Sequence, residues 1–123
     1  MIDLSGTWTG TFWQDGNPTR FEGSLVQGGN VLSGSILDDN ELGESQIVGE
    51  VVGLMVRFNK RYSSGAFESV QCTGTVNEAG NLIQGRWHIP GTKLVGQWEA
   101  RRSGDDLMQQ LRNRIERKTP VGV

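Results

Sequence analysis

A single histidine, His88, and a single cysteine, Cys72, are the first places to look for chemistry in this chain of 123 residues. His88 sits in a strand-like segment, turned by alternation away from Trp87. No Cys, Asp or Glu stands near it at metal-ligand spacing, so it reads as a surface strand residue. Cys72 shares a face with Val70, Gly74 and Val76, where a buried thiol behaves as a small hydrophobe. Asp38, Asp39, Glu41 and Glu44 crowd one stretch, but the twelve-residue calcium loop with its central glycine is absent. Acid–base catalysis needs two carboxylates, or a carboxylate and a histidine, converging in a pocket. The spacing brings no such pair together, so no catalytic residue, metal or cofactor is expected. The aromatic set Trp8, Phe12, Phe21, Phe58, Trp87 and Trp98 is the more informative group. These rings either fill an interior or wall a pocket that stacks on a flat or aliphatic ligand. Arg20 and Tyr62 are rim candidates for fixing such a ligand, alongside Asp15, Asn17, Asp38, Asp39, Asn40, Ser63 and Ser64.

The elements that must hold these rings follow from a repeated phrase: a turn glycine, a polar residue, then an aliphatic residue two places before another glycine. It occurs at Gly29–Gly34, Gly80–Gly85 and Gly91–Gly96, and with one extra residue at Gly43–Gly49. In a strand, positions i and i+2 share a face, so each aliphatic side chain and the glycine after it point the same way. Eight strands are predicted: 4–13, 20–27, 31–37, 45–52, 54–61, 67–76, 82–89 and 92–98. Turn residues separate most of them, Asp15-Gly16-Asn17-Pro18 and Gly28-Gly29-Asn30 among them. The expected inner sets include Trp8/Gly10/Phe12, Phe21/Gly23/Leu25, Leu54/Val56/Phe58 and Leu94/Gly96/Trp98/Ala100. Eight short strands at regular spacing predict an all-β, eight-stranded, antiparallel up-and-down β-barrel, closed so that no edge is left exposed. Seven strands carry a glycine on the inner side, as sharp coiling of a narrow barrel demands.

Composition agrees. Eighteen glycines are about twice the ordinary share, and they follow neither a collagen nor a linker pattern. The length favours one domain, 1–123, with the barrel over 4–102. Past Arg102 the period changes. Ser103 and Asp106 can form a capping box, and Leu107, Leu111 and Ile115 recur every four residues, predicting a C-terminal α-helix over 104–118. Its apolar stripe must cover a barrel mouth, the barrel wall or a second subunit. Formal charge is −2, which gives no basis for a nucleic-acid partner. No apolar run approaches a membrane span, and a lone cysteine forms no internal disulfide. Met1-Ile2-Asp3-Leu4 leads straight into the first strand, so a cytoplasmic protein is expected.

Gly6-Thr7-Trp8, a first-strand Gly-x-Trp, resembles the opening of the calycin-type barrels: lipocalins, fatty-acid-binding proteins and avidins. Arg101 or Arg102 stands where lipocalins carry an arginine against that tryptophan, and the Gly-Thr-Trp start with short Gly-containing hairpins is similar to avidin. The resemblance implies non-enzymatic binding of a small, largely apolar ligand inside the barrel. The expected interior has no Asn, Ser, Tyr and Asp cage like that with which avidins hold biotin, so biotin is not carried over. Two other readings stand beside binding. One is an oligomeric structural or interaction protein with a filled barrel, using outward Val48, Val52 and Met55. The other is a small barrel enzyme acting on an apolar substrate. The expected partners are thus a small apolar ligand and a further copy of the chain, with neither nucleic acid nor membrane.

Overall fold

A computed structural model describes residues 2–65 and 69–103, so the helix expected over 104–118 lies outside the described residues. Eight strands follow one another: β1 (Gly6–Gln14), β2 (Asn17–Gly28), β3 (Val31–Asp38), β4 (Glu44–Val52), β5 (Met55–Tyr62), β6 (Val70–Val76), β7 (Leu82–His88) and β8 (Val95–Ser103). Each pairs antiparallel with the next, and β8 returns to β1 to close the barrel. Every strand therefore has two partners, and no ladder is left open.

Why this sequence can curl so tightly is visible across the ladders. Five of the six inner aromatics stand directly opposite a glycine: Trp8 opposite Gly23, Phe21 opposite Gly10, Phe58 opposite Gly49, Trp98 opposite Gly85 and Trp87 opposite Gly96. Facing residues in an antiparallel pair share a face, and the Phe21 and Trp87 rings occupy the space where Gly10 and Gly96 would carry a Cβ. At Gly49 a Cβ would run into the Arg57 carbonyl and the Phe58 backbone. At Gly74 it would come within 2.9 Å of Cζ2 of Trp98. The missing side chains let neighbouring backbone and rings approach, which accounts for the inner-face glycines, while eight others are called for by positive φ.

One end of the barrel is plugged. Leu4 and Trp8 are buried there, and the Trp8 indole N–H donates to the Leu4 carbonyl at 2.9 Å. Arg102 lies over the Trp8 ring, its guanidinium carbon 4.7 Å from the centroid. Its nitrogens donate to the carbonyls of Asp3 (2.7 Å), Ser5 (2.8 Å) and Gly80 (3.0 and 3.2 Å). Of the two arginines weighed from sequence, Arg102 makes these contacts, while Arg101 is exposed and pairs with Glu99. Charge-assisted hydrogen bonds of this kind contribute about 1.5–3 kcal/mol. Arg102→Leu is accordingly expected to lower the unfolding free energy by about that amount, and urea denaturation measures it.

Several boundary expectations change, and β2 begins at Asn17, inside the expected turn, because Asn17 and Pro18 pair with Gln14 and Trp13. Leu54, expected inside, occupies a two-residue turn with Gly53, whose φ is +60°, and is 38% exposed. Leu94, also expected inside, is 37% exposed because the ladder starts only at Val95. Thr92 holds that loop out of the sheet, donating to the Ile89 carbonyl at 2.7 Å and accepting from the Leu94 N–H at 3.0 Å. Tyr62, expected in a loop, extends β5 because it pairs with Ser45.

Candidate functional site

Alternation along β5 is regular: Val56, Phe58, Lys60 and Tyr62 are buried while the residues between them are exposed. A lysine on that inner face cannot be left bare, because an ammonium taken out of water needs a counter-charge. Asp38, closing β3, supplies it. The Lys60 Nζ donates to both Asp38 oxygens at 2.9 Å, and the Tyr62 hydroxyl donates to Asp38 Oδ2 at 2.5 Å. Asp38 and Lys60 are 3% and 6% exposed, so this is a buried ion pair. The Lys60 ammonium also lies 5.0 Å from the Phe12 ring centroid and 4.7 Å from that of Tyr62. Among the described residues no buried side-chain nitrogen or oxygen lacks a hydrogen-bond partner.

Beside this cluster the barrel encloses a cavity of about 110 Å³. Trp8, Phe12, Phe21, Phe58, Trp87 and Trp98 all lie on its wall, as the inner-face pattern implied. Lys60, Tyr62, Gln14 and Cys72 are its polar lining. The indoles are oriented by backbone: Trp87 donates to the Trp13 carbonyl at 3.0 Å, and Trp98 to those of Thr73 and Arg86, both at 3.1 Å. Phe58 meets Trp98 edge-on at 5.6 Å, and Phe12 stacks on Phe21 at 6.4 Å. Phe12, Phe21 and Leu42 are only half-buried. They mark the end away from Arg102, where β1 and β5 finish and β2 and β4 begin.

Among the expected rim residues, Tyr62 reaches the cavity wall and Asp38 lies buried behind it. Arg20 does not: it alternates with Phe21 and is exposed on the outer face. Asp15, Asn17, Asp39, Asn40, Ser63 and Ser64 are likewise exposed and off the wall. Ser45, Tyr62 and Asp38 are polar residues that the barrel buries and that the expected inner sets did not include. Lys60 was missed altogether, although it continues the parity of Val56 and Phe58. Requiring an acid for an inward lysine would have signalled a buried partner without naming it. His88 is half-buried at the end of β7, and the described residues include no group of three His, Cys, Asp or Glu able to hold a metal.

Burial pushes the Cys72 thiol up to about 12, with Lys60 opposing and Asp38 adding to the rise. Burial, then the hydrogen bond to Asp38, raises the Tyr62 phenol well above the usual tyrosine range. Both shifts have the same consequence. Above pH 9.0 the thiol of the unfolded chain ionises while the folded one stays protonated until about 12. The native state then binds more protons, so stability falls as pH rises through that window. Tyr62 acts in the same direction above 10.0. Thermal melts from pH 8 to 11 are expected to show this decline, made shallower by Cys72→Ala. Iodoacetamide is expected to label Cys72 only as fast as the barrel opens.

The closed, antiparallel, eight-stranded barrel is consistent with the calycin-type fold that Gly6-Thr7-Trp8 and Arg102 resemble. Among the described residues no helix is long and apolar enough to cross a membrane. No protein-family model matches this chain, and no curated protein compared with it is similar to it.

Proposed function

We propose that this protein binds a small, largely apolar ligand inside its barrel, without catalysing a reaction on it. The observation that carries this reading is the cavity, walled by three tryptophans and three phenylalanines. Rings of that kind offer large dispersive contact at little entropic cost. Size limits the ligand: an engineered cavity of about 150 Å³ takes benzene, and this one, at about 110 Å³, suits a ligand of roughly that size or smaller. Calorimetry and tryptophan emission during titration with methylcyclopentane and cyclopentanone test it. Saturable binding is expected, and Ala100→Leu, which extends a wall side chain into the cavity, is expected to abolish it. Absence of saturable binding by either probe would sink the reading.

A second reading is an interaction protein built on the outer wall of β2–β5. Val26, Val48, Val52 and Met55 point outward there and are 56–63% exposed. Val52 and Met55 face each other across the β4–β5 ladder, and exposed apolar residues on a sheet face suit subunit contacts. Sedimentation equilibrium checks this, with Val48→Glu expected to shift any oligomer to monomer.

A further inference from the structure

We infer that the ligand of this cavity is a neutral molecule carrying one hydrogen-bond acceptor, a ketone, aldehyde or ether on a small apolar frame. The inference rests on the binding reading above and adds the chemistry of the head group. Three observations carry it. First, among the described residues the wall is apolar except at Lys60, Tyr62, Gln14 and Cys72, so cationic donor capacity stands at one place on it, Lys60. Second, both oxygens of Asp38 accept from the Lys60 ammonium at 2.9 Å, which uses two of its three donors and leaves one N–H for the cavity that Lys60 lines. Third, Asp38 is buried and already matches the charge of Lys60 one to one.

The third observation selects against charged ligands. A carboxylate entering beside Lys60 would leave two buried anions to one cation, and an amine would leave two cations to one anion. Either state holds an uncompensated charge away from water, which is among the most costly arrangements a protein interior can hold. A neutral acceptor adds no charge and takes up the remaining N–H, and a hydrocarbon takes up nothing. The ranking expected of ligands matched in size is therefore neutral acceptor first, hydrocarbon second, ion last. Phe12 and Tyr62 flank the ammonium within 5.0 Å, so the apolar part of the ligand packs against rings next to its own polar atom.

Titration of the full-length protein with cyclopentanone, methylcyclopentane and isobutyrate, read by calorimetry and by the tryptophan indole N–H resonances, tests the inference. Cyclopentanone is expected to bind about tenfold more tightly than methylcyclopentane, in keeping with one hydrogen bond to a charged donor. Isobutyrate is expected not to saturate. In the triple variant Asp38→Leu/Lys60→Met/Tyr62→Phe the preference for cyclopentanone over methylcyclopentane is expected to vanish, since the donors of the cluster are removed together. Equal affinity for ketone and hydrocarbon in the unsubstituted protein overturns the inference and leaves apolar binding standing. Tightest binding by isobutyrate also overturns it, in favour of an anion site. Failure of all three probes removes both the inference and the binding reading beneath it.

Discussion

Asp38→Ala is expected to lower the unfolding free energy by about 3–5 kcal/mol, among the largest losses available to a single substitution in this barrel. The reason is what it leaves behind. Lys60 would remain buried with its ammonium stripped of both carboxylate contacts, and the Tyr62 hydroxyl would lose its bond to the same group. The attraction within the pair is not what makes the loss large, since bringing both ions out of water costs several kcal/mol each. Replacing the whole cluster makes the distinction measurable. Asp38→Leu, Lys60→Met and Tyr62→Phe together are expected to be neutral or to stabilise by about 1–4 kcal/mol, because no polar group is then left unpaired. Urea denaturation of the single and triple variants decides it: a triple variant as unstable as Asp38→Ala would show that the cluster holds the fold together by itself.

Trp98→Ala is expected to cost about 3–5 kcal/mol. Its indole covers Gly74, stands opposite Gly85 in the β7–β8 ladder, packs edge-on to Phe58 and donates to two backbone carbonyls of β6 and β7. The glycine beneath it has no side chain to fill the space, so part of the void stays open. That void joins the existing cavity. Indole added to the variant is therefore expected to restore part of the lost stability, by about 2.7 kcal/mol at a hundredfold excess over its dissociation constant. Melting curves with and without indole check this. No response to indole would mean that the wall collapses around the vacancy.

The barrel itself was legible in the sequence because its cause is local and repeated. Glycines at Gly10, Gly23, Gly34, Gly49, Gly74, Gly85 and Gly96 sit at one parity, and parity survives errors in where a strand starts. The aromatic lining was legible for the same reason. What parity could not give is pairing between strands that are distant in sequence. Asp38 and Lys60 are 22 residues apart, and each taken alone has an ordinary surface explanation, loop acid and strand lysine. Their meaning depends on how far β3 and β5 extend, and strand ends are set by turn geometry. The hydroxyl of Thr92 delays β8, and Gly53 turns the chain early enough to leave Leu54 outside. Tyr62 was named as a rim candidate, but its place in β5 was lost to the same uncertainty, one residue past an expected strand end.

The seam between β1 and β8 has a kinetic side. Arg102 is bound to carbonyls 97 and 99 positions earlier in the chain, and Thr7 pairs with Ser103. Every other ladder is a hairpin between sequence neighbours that can form as soon as its second strand exists. This one must wait for the eighth, and until it arrives β1 presents a bare edge to any other nascent chain. Ring closure is thus the slow, high-contact-order event of folding. A circular permutant opened at the Gly53 turn would make that seam local and hand the waiting to β4 and β5.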